Sequence, residues 1–330
     1  MATNEGPSDS NAFSDLFNFE NGDVTIQVNY YTKQITGKVV SIAMAMASTV
    51  WKKFIFPPWT QDQLTSTGNG ERDLPRPAMT VLPVDKLDFR EDDGDALLIL
   101  LRIAHLQFKH VPSVVTLDFL YNIAILCNLY DCVELVKPWL SLWLEVAHRR
   151  ESPKRLIIAW TFGKHEMFQE ASEALTWNLR VSRDGRTFVG GEDLDGIVFP
   201  PGILESMLKV RETAIQSIFD VYLKWIGNYT CSPHRRCSLE MNHCDPIMLG
   251  NLIRKLVELD LWPTPSPADW TGTPRGLVYV AKLSFEIPHK NCLDAFEKDF
   301  ESRTARETLI GDIVSEAELL HMEGQAKRLQ

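Results

Sequence analysis

The sequence predicts an α+β N-terminal domain, in which a small sheet is flanked by helices, followed by a mainly α-helical C-terminal domain. Residues 22–28 alternate apolar and polar side chains, as a half-buried strand does, and a second β-like segment at 30–35 suggests a hairpin. From residue 94 onwards, apolar residues recur at the three- and four-residue spacing of amphipathic helices. The length of 330 residues is enough to bury two separate cores.

The elements of the N-terminal domain follow from local patterns. After the hairpin, residues 38–47 and 48–56 read as two short helices, and residues 79–84 read as a third strand. Three helices are predicted within residues 94–144. Thr116 is placed to cap the second of them, and Pro138 to open the third. The predicted order is therefore β-β-α-α-β-α-α-α.

The acidic residues Asp92, Asp93 and Asp95 stand at the predicted start of the first of these three helices. Carboxylates at this end of a helix are stabilised by its dipole, which explains the cluster without an acid–base role.

The chain resembles the BTB/POZ domain, in the version common in fungal proteins, in four segments: GDVTIQV, ASTVWKKFIF, MTVLPVD and LYNIAILCNLYDCVELVKPWL. The resemblance covers residues 20–147. Its most specific part is Tyr-Asp-Cys at 130–132 followed by Pro138 and Trp139. The resemblance implies a protein–protein interaction fold that is often dimeric and has no catalytic activity of its own.

The resemblance also implies where self-association would occur, namely at the hairpin and the two helices that follow it. The residues 36–48, TGKVVSIAMAMAS, lack the histidine of many animal members and are rich in Ala and Met, which suits close helix packing across a two-fold axis. The candidates for the dimer interface are Val39, Val40, Ile42, Met44, Met46, Val50 and Trp51.

The predicted domain organisation has three parts. Residues 1–19 carry acidic but no basic side chains and are expected to be disordered. Residues 20–147 form the BTB/POZ-like domain, within which residues 57–77 are an inserted flexible loop rich in Gly, Pro, Ser, Thr and Asn. Residues 148–330 form the helical C-terminal domain.

One long helix dominates the C-terminal domain. Apolar residues from Leu204 to Ile226 lie on one stripe, which predicts a helix of about seven turns that ends near Gly227. Arg211 is assigned to its polar face together with Lys209. The preceding residues 182–196 are polar and rich in glycine and are predicted to be a loop.

Cysteines and histidines concentrate after this helix, in CSPHRRCSLEMNHC and HKNC. A structural zinc site needs four soft or borderline ligands, which two separate segments commonly supply as pairs. The predicted ligands are Cys237, Cys244, His289 and Cys292, with Cys231, His234 and His243 as further candidates. The sequence has no C-x-x-C pair here, and reduced core cysteines with surface histidines are the alternative interpretation.

Charge and hydropathy exclude several classes of protein. The net charge of −10 and the pI near 5.3 argue against direct binding to nucleic acid. No apolar run reaches the ~18 residues of a membrane span, and the N-terminus lacks the pattern of a secretory signal. We therefore expect a protein of the cytoplasm or nucleus that is not secreted.

No catalytic motif for metalloproteases, serine hydrolases or P-loop nucleotidases occurs, so we expect no enzymatic activity and no cofactor other than zinc. The function predicted is a non-enzymatic protein–protein interaction module that self-associates through the BTB/POZ-like domain. The alternative is a substrate adaptor of a cullin-type ubiquitin ligase, in which the C-terminal domain would select the substrate. No cullin-recruiting motif is recognisable.

Overall fold

The computed structural model describes residues 9–57, 82–146, 152–232, 234–282, 289–310 and 313–330. The chain divides into two compact units. The first unit comprises Met1–His148, Thr161–Gly163 and Met322–Gln330, and the second comprises Arg149–Trp160 and Lys164–His321. The C-terminal residues thus group with the first unit, whereas the sequence placed all of residues 148–330 in one domain. Among the described helices, none combines the length and apolarity needed to cross a bilayer.

The first unit is a small mixed sheet with helices. Its elements are α1 (Asp9–Leu16), β1 (Val24–Tyr30), β2 (Lys33–Val39), α2 (Ser41–Ala47), α3 (Thr49–Ile55), β3 (Lys86–Phe89), α4 (Gly94–Ala104), α5 (Leu117–Leu129) and α6 (Lys137–Trp143). The strand order is β2-β1-β3, with β1 antiparallel to β2 and parallel to β3. From β1 onwards, the order of elements confirms the predicted one.

The third strand was predicted in the wrong place. Residues 82–84 of the predicted strand 79–84 are not in a sheet, and residues 79–81 lie outside the described residues. Pro83 has no N–H to donate to a ladder, whereas the next alternating stretch, in β3, turns Leu87 and Phe89 inward. Apart from Pro57, the predicted loop at 57–77 also lies outside the described residues.

Part of the segment predicted to be disordered, residues 1–19, is helical: residues 9–16 form α1, whereas residues 1–8 lie outside the described residues. After α1, the side chains of Phe17 and Phe19 are buried, which provides the apolar burial that a disordered segment lacks. Phe17 crosses β2 so closely that a Cβ at Gly37 would lie 2.5 Å from the Phe17 carbonyl oxygen. Gly37 is therefore the residue that lets the segment pack on the sheet.

Helix α4 is the central helix of the first unit. Its side chains from Ala96 to Leu101 are buried, and it packs against β1, α2 and α5. Asp93 caps its start by accepting a hydrogen bond from the Ala96 N–H at 2.8 Å. Thr116 caps α5 in the same way, as predicted.

The rest of the chain is mainly helical, as predicted. The elements are α7 (Pro153–Thr161), α8 (His165–Trp177), β4 (Leu179–Val181), β5 (Thr187–Val189), β6 (Glu192–Asp193), α9 (Ile203–Thr230), α10 (Cys244–Glu258), α11 (Pro274–Ala281), α12 (Lys290–Thr304), α13 (Arg306–Leu309) and α14 (Glu316–Arg328). The predicted loop at 182–196 instead contributes β5 and β6 to an antiparallel sheet with β4. Strands of two or three residues are too short to show a period in sequence.

Helix α9 organises the second unit, because helices α8, α10, α11, α12 and α13 all pack against it. Its buried face includes Arg211, which the sequence had assigned to the polar face. The Arg211 Nε donates to the Leu179 carbonyl at 3.1 Å, and its Nη2 donates to the carbonyls of Gly272, at 2.8 Å, and Trp270. Burial lowers the pKa of Arg211. The guanidinium therefore links β4 and the segment before α11 to the central helix.

We expect Arg211→Met to lower the free energy of unfolding of the chain by about 2–4 kcal/mol, because it leaves buried carbonyl groups without a donor. Chemical denaturation followed by circular dichroism measures the change. The exposed Lys209 lies half a turn away on α9, so Lys209→Met is the matched control. Equal stabilities of the two variants would contradict a structural role for the Arg211 hydrogen bonds.

Candidate metal centre and docking groove

Three segments of the second unit meet at one group of cysteine and histidine side chains. Cys237 lies in the loop after α9, and Cys244 is the first residue of α10. His289 is the residue before α12, and Cys292 lies in the first turn of that helix. Because α10 and α12 both pack against α9, their N-terminal ends are held beside the loop. We call these four residues the cysteine–histidine cluster.

The ligand atoms of the cysteine–histidine cluster all lie within 4.8 Å of one another. The His289 Nε2 is 3.0 Å from the Cys237 sulfur and 3.2 Å from the Cys244 sulfur. The Cys292 sulfur lies 3.7 Å from the same nitrogen. All three cysteines are buried. The structure thus brings together the four side chains that the sequence singled out as zinc ligands.

The backbone around the cluster favours negative charge on some of the sulfurs. Burial opposes ionisation of Cys237, but N–H donors from Met241 and Leu239 and the His289 ring outweigh burial and lower the pKa of Cys237 to about 7. Burial raises the pKa of Cys244 to about 12 and also raises that of Cys292, to which the Ser238 N–H donates. Burial therefore opposes the thiolate form at two of the three cysteines.

The other candidate ligands lie outside the cluster. Cys231, His234 and His243 are exposed, and none of them joins a group of metal-binding side chains among the described residues. Cys127 and Cys132 are buried in the first unit. Burial raises the pKa of Cys127, as expected for a core thiol.

The seven residues predicted for a dimer interface divide into two groups. Val39, Met44 and Trp51 are fully buried in the first unit, so the prediction that they contact a partner is wrong. Their side chains face the core because β2 and the two short helices each bury one side. The remaining four, which are at least partly exposed, are Val40, Ile42, Met46 and Val50.

An apolar groove of about 710 Å³ runs beside α2 on the first unit. Its lining residues are Val40, Ile42, Ala43, Met46, Ala47, Ile103, Ala104, Leu106, Phe108, Glu134, Leu135, Pro138 and Trp139. Met46 and Leu106 are 84% and 75% exposed, and the rings of Phe108 and Trp139 are 5.6 Å apart. We call this feature the α2 groove. No sequence pattern indicates the side of the groove opposite α2, since residues 103–108 and 135–139 are distant from α2 in the chain.

His105 connects the end of α4 to Val40, the residue before α2, beside the α2 groove. Its Nδ1 lies 2.7 Å from the Leu101 carbonyl, and its Nε2 accepts a hydrogen bond from the Val40 N–H at 2.9 Å. The ring also stacks on Phe19 at 4.0 Å between centroids. These contacts require the neutral ring with its proton on Nδ1. Burial lowers the pKa of His105, although the Leu101 carbonyl acts in the opposite direction.

Comparison with known proteins identifies no relative: no family model, no curated protein and no solved structure matches the chain. The BTB/POZ resemblance therefore stays a prediction. Function has to be inferred from the side chains of the cysteine–histidine cluster and the α2 groove themselves.

We expect the chain to lose stability as the pH falls below about 6.5, the ordinary pKa of histidine, because the unfolded state then binds a proton that folded His105 does not. The loss levels off below the lowered folded pKa, and its slope reaches at most ~1.4 kcal/mol per pH unit for this group. His321, whose pKa burial also lowers, adds to the slope in the wild type.

Urea unfolding between pH 7.5 and 5 measures this dependence. His105→Gln keeps an acceptor for the Val40 N–H but cannot titrate, so it should flatten the dependence relative to wild type. The neighbouring Gln107→Ala, which removes no titratable group, is the control. A slope unchanged by His105→Gln would show that His105 is not the source.

Proposed function

We propose that this protein is a non-enzymatic interaction protein whose first unit binds a second copy of the same chain through the α2 groove. The observation that carries the proposal is the concentration of exposed apolar side chains at this one feature. Ile42 and Phe108, like Met46 and Leu106, are at least half exposed. Exposed apolar residues that occur singly are ordinary, whereas a contiguous group indicates a binding surface.

The groove is also nearly free of charge. Glu134 is the charged residue among its described lining side chains, and the Arg328 Nε pairs with it at 2.9 Å. Helix α2, SIAMAMA, contains no charged residue at all. In a chain with a net charge of −10, such a patch allows two copies to approach without facing like charges at the contact.

The conformation of Leu106 supports the same function. It follows the last turn of α4 with a φ of 59°, a left-handed conformation that glycine normally occupies at this position. Its N–H bonds to the Ile103 carbonyl at 3.0 Å, which completes the helix end. A leucine here is unfavourable for the isolated chain in both backbone strain and exposure. A binding surface explains why an apolar side chain occupies the position.

A second copy is the occupant that fits best. The α2 groove combines the exposed side chains of an apolar helix, Ile42 and Met46, with apolar lining beside them, so the same surface can serve both sides of a two-fold contact. The Ala and Met side chains of α2 are small or flexible and can pack into a facing channel. The BTB/POZ resemblance supports this choice, since it implies dimerisation through the same helix.

We expect the full-length chain to be a dimer and Met46→Glu to weaken its self-association at least tenfold, because the substitution buries a carboxylate in an apolar contact. Light scattering coupled to size exclusion over a range of concentrations measures the mass. Val198 is 72% exposed in the second unit and is the matched control, as Val198→Glu should leave the mass unchanged. A monomeric wild type, or an equally dimeric Met46→Glu variant, would exclude the α2 groove as the interface.

We expect Leu106→Gly to separate stability from association. Glycine relieves the left-handed strain and should raise the free energy of unfolding of the monomer by about 1 kcal/mol. The same variant should weaken self-association, since it removes an apolar side chain of the groove. Denaturation at low protein concentration and light scattering at high concentration test the two effects. A variant that is both more stable and equally associated would argue against a role for Leu106 in binding.

A further inference from the structure

We propose that the second unit binds one structural zinc ion through the four side chains of the cysteine–histidine cluster, Cys237, Cys244, His289 and Cys292. This inference is independent of the α2 groove, which belongs to the first unit. It rests on the chemistry of the four donors, on the distances between them and on their placement in the fold.

The donor set is that of a structural zinc site. Three sulfurs and one imidazole nitrogen are soft or borderline ligands, which favour zinc over magnesium or calcium. Four protein ligands complete a tetrahedron and leave no position for a water molecule or substrate. The ion would therefore stabilise the fold and would not catalyse a reaction.

The distances match a tetrahedron around one ion. Zinc–sulfur bonds of about 2.3 Å and zinc–nitrogen bonds of about 2.0 Å place each sulfur about 3.5 Å from the nitrogen in a tetrahedron. The three sulfurs lie 3.0, 3.2 and 3.7 Å from the His289 Nε2. All four ligand atoms come from side chains that are buried or nearly so.

Hydrogen bonding alone does not account for the arrangement. One imidazole nitrogen either donates one proton or accepts one, so it can satisfy only one of the three sulfurs that converge on it. The His289 Nδ1 is buried and has no hydrogen-bond partner among the described residues, so the ring is not held there from its other side. A cation bound to Nε2 gives all three sulfurs the same favourable partner.

Helix N-termini beside the cysteine–histidine cluster favour negative charge on its sulfurs. Cys244 and Cys292 lie in the first turns of α10 and α12, where the helix dipoles favour anions. Zinc with three thiolates carries a net charge of about −1, which these dipoles stabilise.

The site would join parts of the chain that are distant in sequence. Cys237 and His289 are 52 residues apart, and Cys244 and His289 are 45 residues apart. Zinc binding would therefore hold the loop after α9 and the start of α10 to the start of α12. Ligand groups brought together only in the folded chain make metal binding part of the folding free energy.

The test is metal analysis of the full-length chain purified under reducing conditions without chelator. We expect inductively coupled plasma mass spectrometry to find one zinc ion per chain. His289→Ala and Cys292→Ser should lose the zinc, whereas His289→Cys, which restores a four-ligand set, should retain it. Cys231→Ser is the matched control, because Cys231 is exposed and lies outside the cluster. Wild-type protein without stoichiometric zinc, or full zinc retention in His289→Ala and Cys292→Ser, would overturn the assignment. Iron together with acid-labile sulfide would also overturn it, because the four residues would then hold an iron–sulfur cluster.

Two measurements on the wild type keep the test valid if the ligand variants do not fold. Replacement of zinc by cobalt(II) should produce the visible bands of a tetrahedral ion and the near-ultraviolet bands of thiolate ligation. A strong chelator should lower the melting temperature, and zinc but not magnesium should restore it. A cobalt spectrum without thiolate bands would exclude the site. A melting temperature that changes neither with chelator nor with added zinc would exclude it as well.

Discussion

The buried face of helix α9 is the constraint on which the second unit depends. Five helices pack against it, and Arg211 on the same face hydrogen-bonds the backbone of β4 and of the segment before α11. The positions of the first turns of α10 and α12 follow from this packing. Cys244 and Cys292 lie in those turns, and His289 is the residue immediately before α12. The candidate metal centre is thus a consequence of how helices cover α9, and a bound ion would reinforce that arrangement.

In the first unit, the end of α4 has a comparable role. Its helical residues fill the core, while His105 and Leu106, which follow it, shape the α2 groove. His105 connects this helix end to the start of α2 through the Val40 N–H. Leu106 presents an apolar side chain in a conformation that suits glycine. One turn therefore closes the core and forms part of the exposed apolar surface, which is why stability and association are expected to conflict there.

Local patterns predicted the hairpin, the order of elements from β1, the cap of α5 and the long helix α9, because periodicity and capping depend on neighbours in sequence. The same patterns failed where tertiary contacts decide. β3 lies at Lys86–Phe89 because it pairs with β1, and α1 is ordered because Phe17 and Phe19 are buried. Arg211 lies four residues after Met207 and three before Ala214, a spacing that places it on the buried face of α9. Its charge nevertheless suggested the polar face.

The sequence by itself determined the residue types of both candidate sites: four soft or borderline ligands in two segments, and an uncharged Ala- and Met-rich helix. Only the tertiary structure decided that the four predicted ligands converge, since a contact between Cys237 and His289 spans 52 residues and leaves no local pattern. It also decided that Met44 and Trp51 fill the core while Ile42 and Met46 are exposed. Composition and period are properties of neighbouring residues, whereas burial and convergence depend on what the rest of the chain packs against.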